Sequence, residues 1–395
     1  MRSVAIIGGG PGGAHCGRAL AETGFEVTLF EPRDRFEKAC GGGIPARGIE
    51  AYPFLNSPRL PVRIVRTCVV VAPSGREAVI PLSEPLHVFS RADLHLYLLE
   101  RAELAGVRRV RSRVVDFTRR PEGAWTLLTE PGPAGLPEHG PFDYLVAADG
   151  ASGVSRRRLA GSIPARQLTQ GIGYYLPGLS EDAITLKFFS GLNGYLWVFP
   201  RTDHSSAGIC GTLGEMPVAE LRALMDDFLR LRYGPEIVAR SERYAALIPG
   251  APSDPEGVPL IGDAWAFVGD TGRSVDPLTR EGIYFAMLAG DLLAEALRER
   301  RAKSYPLAWT SGPGREFAWA ARHAAGFFDP RFIERLVALC SRSPTAARVL
   351  SDLIGGRQPY RTLKLRLLLS APAVGWQVIQ NRRPAPVPLT PARGS

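Results

Sequence analysis

The chain has 395 residues, of which 45% are hydrophobic and 22% charged, the balance of an ordinary globular enzyme. This length predicts two closely packed domains. All but four of its 48 basic residues are arginines, and no basic run alternates with aromatic residues, so the net charge of +9 does not predict nucleic-acid binding.

The five cysteines are widely spaced and include no C-x-x-C pair, and the six histidines are dispersed. This pattern predicts a reducing compartment, no disulfide framework and no metal site. A strand begins at residue 3 or 4 without a leader-like segment, and no run of about 20 apolar residues occurs. We therefore expect a cytoplasmic protein.

The first predicted element is a strand at residues 4–7, which leads directly into a glycine turn and a helix. Gly8, Gly10 and Gly13 have the G-x-G-x-x-G spacing that binds a dinucleotide pyrophosphate at a helix N-terminus. A second strand, at residues 27–30, ends in Glu31, whose carboxylate would accept hydrogen bonds from ribose hydroxyls and repel a 2′-phosphate. FAD or NAD is therefore favoured over NADP. The predicted contacts in this part of the chain are Gly8, Gly10, Pro11, Gly12, Gly13, Glu31, Pro32 and Arg33.

The next elements alternate between helix and strand. A helix is predicted at residues 90–105, with Ser90 as its N-cap, followed by a hairpin of strands 113–118 and 124–129. A Pro/Gly-rich loop at 131–141 precedes an apolar strand at 144–148. Strands at 184–189, 195–199 and 206–210 and a helix at 218–231 make the middle of the chain rich in β-structure. The last predicted elements are a strand at 265–269, a helix at 281–300, further helices, and a Pro-rich tail at 382–395.

Two later turns repeat the pattern of a strand that ends in glycine and an acid. The pairs Asp149-Gly150 and Gly269-Asp270 both follow apolar strands, so they belong at the carboxyl edge of a parallel sheet, where ligands bind. Pro277, Gly282 and Ile283 lead into the long helix, whose N-terminus would stabilise negative charge on a reduced flavin. A cradle built from three separate turns favours FAD over NAD.

These motifs together resemble the FAD fold of the para-hydroxybenzoate hydroxylase type, and within it the geranylgeranyl reductase family. The resemblance covers about residues 1–300, and one departure is Leu192, where the family often has proline. The segments that carry it are Lys38-Ala39-Cys40-Gly41-Gly42-Gly43-Ile44, Tyr195-Leu196-Trp197-Val198-Phe199-Pro200 with Asp203-His204, Glu281-Gly282-Ile283-Tyr284-Phe285-Ala286, and the pair Arg91 and Asp93.

The resemblance implies an α/β fold in which a Rossmann-like FAD-binding domain carries an inserted β-rich substrate domain and a C-terminal helical region. The FAD-binding domain would comprise residues 1–60, 90–165 and 248–300, the substrate domain 61–89 and 166–247, and the helical region 301–381. It further implies a catalytic or substrate-positioning role for Cys40 and a pocket for an apolar chain lined by Tyr195 and Trp197. From spacing alone, a place in the core is favoured for these aromatic residues. Further implied cofactor contacts are Gly41, Gly42, Gly43, Arg91 and Val115.

The implied activity is the FAD-dependent saturation of C=C bonds in a polyprenyl substrate, with electrons from NAD(P)H or reduced ferredoxin. No second dinucleotide cradle is apparent, so the nicotinamide or the electron-donor protein would bind transiently. A monooxygenase or halogenase of the same fold is the alternative. A flavoprotein that carries an isoprenoid without turnover is a third hypothesis, and the complete flavin motif set argues against it.

The segment from Arg361 to Leu369 mixes basic and leucine residues, with Trp376 beyond it. It is typical either of a helix that lies in a membrane interface or of a helix docked on the protein with its arginines in water. We favour the docked helix, and peripheral membrane contact is the alternative.

Overall fold

The computed structural model describes residues 2–132, 135–254 and 256–381, so the predicted tail at 382–395 lies outside the described residues. The described chain forms two compact units. Unit 1 comprises residues 2–38, 91–168 and 247–321, and unit 2 comprises residues 39–90, 169–246 and 322–381. Residues 39–60 and the helices after residue 321 therefore group with the β-rich part of the chain.

The strands, in chain order, are β1 (Ser3–Ile7), β2 (Glu26–Phe30), β3 (Gly43–Ile44), β4 (Val62–Val71), β5 (Glu77–Phe89), β6 (Arg108–Val110), β7 (Val114–Arg119), β8 (Trp125–Thr129), β9 (Glu138–Phe142), β10 (Tyr144–Ala147), β11 (Leu168–Pro177), β12 (Ile184–Lys187), β13 (Leu196–Pro200), β14 (His204–Thr212), β15 (Glu242–Pro249), β16 (Ile261–Gly262) and β17 (Trp265–Phe267). The α-helices are α1 (Pro11–Glu22), α2 (Ala46–Ala51), α3 (Arg91–Leu104), α4 (Val154–Ala160), α5 (Val218–Tyr233), α6 (Ile283–Arg298), α7 (Ser304–Ser311), α8 (Pro313–Phe327), α9 (Pro330–Cys340), α10 (Pro344–Ile354) and α11 (Tyr360–Gln380).

Unit 1 is organised around a six-stranded sheet in the order β16-β17-β10-β1-β2-β6, in which every pairing except β16 with β17 is parallel. The apolar run of β1 is buried, and α1 packs against both α3 and α6. Because the strands are parallel, the carboxyl ends of β1, β2, β10 and β17 meet at one edge. The Rossmann-like fold predicted for this part of the chain is confirmed.

A second, three-stranded sheet in unit 1 contains the predicted hairpin of β7 and β8. The prediction of a loop at 131–141 is wrong in its second half, where β9 pairs with β8. Phe142 lies opposite Trp125 and joins a buried cluster with Phe117. A distant strand and an apolar contact thus override a Pro/Gly-rich local composition. The long helix α6 likewise begins at Ile283, two residues after the predicted start.

Unit 2 contains an eight-stranded sheet in the order β15-β11-β14-β13-β12-β4-β5-β3. Helix α5 covers part of it, since Leu221 and Met225 pack in one buried cluster with Leu196 and Val198 of β13. Helices α9 and α10 pack on β5. Among the described residues, none of the helices has the length and apolar character needed to cross a bilayer.

Candidate cofactor and catalytic site

The first turn of unit 1 requires glycine at two positions. Gly8 has a φ of +100°, and a Cβ there would lie 2.4 Å from the carbonyl oxygen of Ala148. A Cβ at Gly13 would lie 1.9 Å from the carbonyl oxygen of Gly8. Nothing lies within 4 Å of the Cβ position of Gly10, which is the N-cap of α1 and gives that helix no side-chain cap. The turn therefore leaves space in front of a helix N-terminus, as binding of a pyrophosphate requires.

Glu31 is buried at the end of β2, next to this turn. Its Oε2 accepts a hydrogen bond from the N–H of Gly9 at 2.9 Å, and its Oε1 accepts one from the N–H of Arg33 at 3.1 Å. Each carboxylate oxygen has a second lone pair, so the side chain can also accept from ribose hydroxyls. Arg33, which follows Pro32, places its Cζ 3.4 Å from the ring centroid of Phe36.

Arg91 begins α3 and is 6% exposed. Its backbone N–H donates to Oε1 of Glu37 at 3.0 Å, and the N–H of Ala92 donates to Oε2 of Glu37 at 2.8 Å. The Nε of Arg91 is buried and has no hydrogen-bond partner among the described residues. An unpaired buried donor costs about 1–3 kcal/mol. A cofactor oxygen at this position would supply the missing hydrogen-bond acceptor.

Glu37 was not predicted to take part in the site. It lies 54 residues before Arg91 in the chain, and its two carboxylate oxygens cap the first turn of α3. A helix cap from a distant segment has no local sequence pattern, so only the tertiary fold reveals it.

The second turn follows β10 and is held by the side chain of Asp149. Its Oδ2 accepts from the N–H of Ser155 at 2.9 Å, and its Oδ1 lies 3.4 Å from the hydroxyl of Thr271. The same hydroxyl accepts from the N–H of Gly150 at 2.8 Å. Burial raises the pKa of the Asp149 carboxyl. Asp149 therefore joins the second turn to the turn at Gly269–Gly272.

The three turns converge on one edge of the parallel sheet. The Cβ position of Gly12 is 3.3 Å from the N of Gly269, and the Cβ position of Gly8 contacts Ala148 at the end of β10. The third turn is tied to the second through Thr271. Three segments far apart in sequence thus form one cradle within unit 1, which fits a dinucleotide such as FAD.

Lys38 contributes a charge to this cradle that sequence reasoning did not single out. Its Nζ lies 2.5 Å from Oδ2 of Asp270, and both side chains are partly buried. The sequence predicts Asp270 at the ligand-binding edge of the parallel sheet. The ion pair places an ammonium group beside the acid, at the edge where the cofactor phosphates are expected.

The segment after the third turn prepares the start of α6. Asp276 Oδ1 accepts from the N–H of Leu278 at 2.8 Å and from that of Thr279 at 2.9 Å, which makes a tight turn around the buried Pro277. Gly282 is the N-cap of α6, and the helix begins at Ile283 without a side-chain cap. The positive end of α6 is thus left for a ligand. Val115 differs from these residues, since it lies on β7 in the three-stranded sheet and is 37% exposed.

In unit 2, the glycines after Cys40 form a loop that packs on an aromatic ring. A Cβ on Gly41 would lie 2.7 Å from Cδ2 of Phe199, and a Cβ on Gly43 would lie 2.9 Å from its Cε2. Gly42 has a φ of +86°, and its Cβ position is 2.2 Å from the carbonyl oxygen of Phe89. These contacts are a reason for three consecutive glycines that does not depend on a bound cofactor.

The backbone of Cys40 is fixed by two buried donors. Arg201, which is 1% exposed, donates from Nη2 to the carbonyl oxygen of Cys40 at 2.7 Å, and Ser206 Oγ donates to the same oxygen at 2.9 Å. Nη1 of Arg201 lies 3.1 Å from Nε2 of His204. A guanidinium only donates, so Nε2 is the acceptor and the ring proton lies on Nδ1, which faces Oδ1 of Asp203 at 2.8 Å. Arg201 was not singled out from the sequence, because a buried arginine after a strand has no distinctive spacing.

The aromatic residues of the Y-x-W-x-F-P segment lie on the opposite face of β13 from the core under α5. Tyr195, just before the strand, and Trp197 make an edge contact with ring centroids 6.2 Å apart. Trp197 is 8% exposed, and its indole N–H has no partner among the described residues. The Cβ position of Gly208 is 2.3 Å from Cζ2 of Trp197, so the neighbouring strand needs glycine there. Unit 2 therefore brings the Cys40 loop and this aromatic face together through Phe199.

Comparison with known proteins agrees with this geometry. Residues 6–41 match the model of an NAD(P)-binding Rossmann-like domain. The geranylgeranyl diphosphate reductase of Synechocystis is 28% identical over 74% of this chain and 74% of its own length. The digeranylgeranylglycerophospholipid reductase 2 of Methanopyrus kandleri is 28% identical over 85% of this chain and 89% of its own.

Solved structures show the same fold over nearly the whole chain. A geranylgeranyl bacteriochlorophyll reductase-like protein of Thermoplasma acidophilum superposes with a TM-score of 0.76 at 19% identity, covering 93% of this chain and 98% of that one. A flavin-dependent brominase superposes with a TM-score of 0.66 at 20% identity, covering 94% and 99%. The chain is therefore similar in sequence to named geranylgeranyl reductases, and it shares its fold with a flavin-dependent enzyme.

Proposed function

We propose that this protein is an FAD-dependent reductase that saturates C=C bonds of a polyprenyl chain of the geranylgeranyl type. The observation that carries the proposal is the convergence of three glycine turns in unit 1, in a chain whose relatives are named as reductases of geranylgeranyl compounds. The cradle supports a dinucleotide cofactor, and the relatives' names support the reaction.

Different residues of unit 1 would bind different parts of the cofactor. The uncapped N-terminus of α1 would hold the pyrophosphate, Glu31 the ribose hydroxyls and Asp270 the ribityl hydroxyls. Arg91 Nε, a buried donor without a partner among the described residues, would donate to a cofactor oxygen. The uncapped N-terminus of α6 would stabilise negative charge on the reduced ring system. When bound and reduced, FAD supplies a hydride from N5 to one carbon of the double bond.

The residues of unit 2 would act on the substrate. A prenyl chain would be ordered against the half-buried ring of Tyr195, which the buried Trp197 supports by an edge contact. The Cys40 thiol lies in a loop held rigid by Arg201 and Ser206, and the N–H of Gly42 donates to its Sγ at 3.3 Å. We assign Cys40 the task of delivering a proton to the second alkene carbon or of holding the alkene in place.

The reducing equivalents must come from outside the chain. We propose NAD(P)H or a reduced ferredoxin as the physiological donor, bound only transiently. We also propose that the protein works at a membrane surface, since a long polyprenyl lipid resides in the bilayer.

The fold is shared with a flavin-dependent brominase, so oxygen-dependent chemistry is the alternative function. Halogenases of this type use a pocket lysine. Lys187, the buried lysine of unit 2, instead donates from Nζ to the carbonyl oxygens of Ala72 at 2.6 Å and Pro73 at 3.2 Å. Tyr195 also occupies the position of the first tryptophan in the halogenase W-x-W-x-I-P segment. These two observations favour the reductase.

The decisive experiment is an anaerobic incubation of the dithionite-reduced protein with geranylgeranyl diphosphate and with a geranylgeranylated lipid, read by mass spectrometry. Hydride and proton addition raises the product mass by about two for each reduced bond. A matched aerobic reaction should form less product, because oxygen oxidises the reduced flavin before it can reduce the substrate. A product that appears only in air and has gained oxygen would refute the reductase and support the alternative.

A further inference from the structure

Helix α11 presents an apolar stripe away from the protein. The exposed members of the stripe recur at helical spacing over four turns, and Leu368, Leu369 and Trp376 have 72%, 75% and 63% of their surface exposed. At 100° per residue, the residues of the stripe lie within about 45° of one direction around the helix, except Leu368, which lies about 60° from it. The stripe consists of Leu365, Leu368, Leu369, Pro372, Trp376 and Ile379.

Polar groups about 100–120° around the helix from the stripe attach α11 to unit 2, and the side opposite the stripe carries the half-buried Leu363, Val374 and Val378. Arg366 pairs with Asp352 at 2.5 Å, and Gln377 accepts from Ser343 Oγ at 2.5 Å. A helix at the surface of a globular protein normally exposes polar side chains, so the exposed leucines and tryptophan of the stripe are unusual. Arg366 is thus partly buried against Asp352, while Arg361 and the leucines of the stripe are exposed.

The charged side chains that follow Asp352 in the sequence are all basic. Asp352 is the last acidic residue, and the 43 residues that follow it include seven basic ones. These residues are Arg357, Arg361, Lys364, Arg366, Arg382, Arg383 and Arg393. A segment that is basic and exposes leucine and tryptophan on one face is complementary to the headgroup region of an anionic bilayer.

We propose that α11 docks on the surface of an anionic lipid bilayer and lies in the interface with its stripe in the acyl boundary. The inference deepens the proposed function, on which the choice of a lipid partner partly rests, and it names the surface that meets the membrane. Trp376 would sit at headgroup depth, where indole rings are enriched. The helix lies on the membrane and does not span it, in agreement with the absence of a spanning helix among the described residues.

The size of the stripe favours a bilayer over a second copy of the chain. From Leu365 to Ile379 the helix rises about 21 Å, and at a width of about 10 Å the patch measures about 200 Å². A standard protein interface buries about 800 Å² on each partner. A bilayer needs no complementary surface, so burial of a few exposed side chains is enough to hold the helix there.

The test is cosedimentation of the full-length protein with vesicles of phosphatidylcholine alone or mixed with about one-third phosphatidylglycerol. We expect binding to the anionic vesicles that weakens with salt. Leu368→Glu should reduce the partition coefficient about tenfold or more, because it places a charge in the acyl boundary. Ala371→Glu adds the same charge at an exposed position about 120° from the centre of the stripe and should retain most of the binding. Flavin content and melting temperature check that both variants are folded.

The outcomes separate the hypotheses. Wild-type protein that ignores anionic vesicles, or an Ala371→Glu variant as impaired as Leu368→Glu, would overturn the docking proposal. The wild type could instead form dimers in light scattering and fail to bind vesicles. If Leu368→Glu dissociates those dimers, the stripe is the contact surface for a second copy of the chain. Reduction of soluble geranylgeranyl diphosphate by the wild type reports on the proposed function alone, so its failure is not confused with failure of docking.

Discussion

The guanidinium of Arg201 donates a hydrogen bond from Nη2 to the carbonyl oxygen of Cys40 at 2.7 Å, across 161 positions of sequence. Because Arg201 is almost fully buried, the bond links the interior of unit 2 to the loop that carries the thiol. The position of Cys40 therefore depends on a residue that no local motif identifies.

The first prediction concerns this bond. Arg201→Met should loosen the Cys40 loop, since one of the two donors to the Cys40 carbonyl is removed. The thiol of Cys40 is partly exposed, whereas those of Cys16, Cys68, Cys210 and Cys340 are buried, so alkylation of the native protein reports on Cys40 alone. We expect Cys40 to react several-fold faster in the variant, and global stability to fall by about 1–3 kcal/mol. Ser206→Ala is the matched control, because it removes the other donor without removing a charge. If Cys40 is alkylated at the wild-type rate in Arg201→Met, the loop is held by its glycine contacts.

The second prediction tests Glu31. Glu31→Ala should lower FAD affinity by about 1–3 kcal/mol, because the ribose hydroxyls lose a charged acceptor. Equilibrium titration of the apoprotein with FAD measures this. Glu26→Ala serves as control, since Glu26 lies exposed on the same strand. Equal affinities for wild type and Glu31→Ala would mean that Glu31 only holds Gly9 and Arg33 in place.

The third prediction follows from the pKa of Asp149, which burial raises. A carboxyl group whose folded-state pKa is raised stabilises the fold most at low pH, where it is protonated in both states. Its contribution is lost as the pH rises through the folded-state pKa. In Asp149→Asn the side chain is neutral throughout, so the stability of the variant relative to the wild type should increase as the pH rises above about 4, the ordinary pKa of an aspartic acid.

Urea denaturation at a series of pH values checks the Asp149 prediction. The asparagine retains an acceptor for the N–H of Ser155, so the variant should fold. Parallel stability curves for the two proteins would indicate that the carboxyl group ionises as readily in the folded chain as in the unfolded one.

The fourth prediction separates Cys40 from the aromatic face. Cys40→Ala should leave FAD bound and reducible, yet slow the reoxidation of reduced flavin by substrate by roughly 10²–10⁴-fold, the range for lost acid–base catalysis. Trp197→Ala should act mainly on substrate affinity and on which bond is reduced, because it removes apolar contact area. Anaerobic single-turnover traces at several substrate concentrations distinguish the two effects. If Cys40→Ala reoxidises at the wild-type rate, the proton comes from another group.

Local patterns in the sequence predict the parts of this protein that depend on neighbours in the chain. The strand, glycine turn and helix of the first 22 residues are local, and so are α3 and the hairpin of β7 and β8. Strand β9 was missed because a pairing with β8 and the burial of Phe142 support it, and neither has a local sequence pattern. The same reason explains Glu37 and Lys38, whose partners are 54 and 232 residues away.

The surroundings of α11 could not be predicted from the sequence for a related reason. Its periodicity shows that the helix has an apolar face, but periodicity does not say what that face contacts. The polar partners that turn this face outward, Asp352 and Ser343, come from α10 and the residue before it. The sequence therefore defines the stripe, and only the fold shows that it is outside.

The packing of Gly41 and Gly43 on Phe199 also constrains how this protein can change over evolution. A side chain at either glycine requires a smaller residue at position 199, so a change at either glycine must be accompanied by a change at position 199. Gly41→Ala should therefore be harmful alone and tolerated beside Phe199→Leu. In related sequences that lack one of these two glycines, we therefore expect a residue smaller than phenylalanine at position 199.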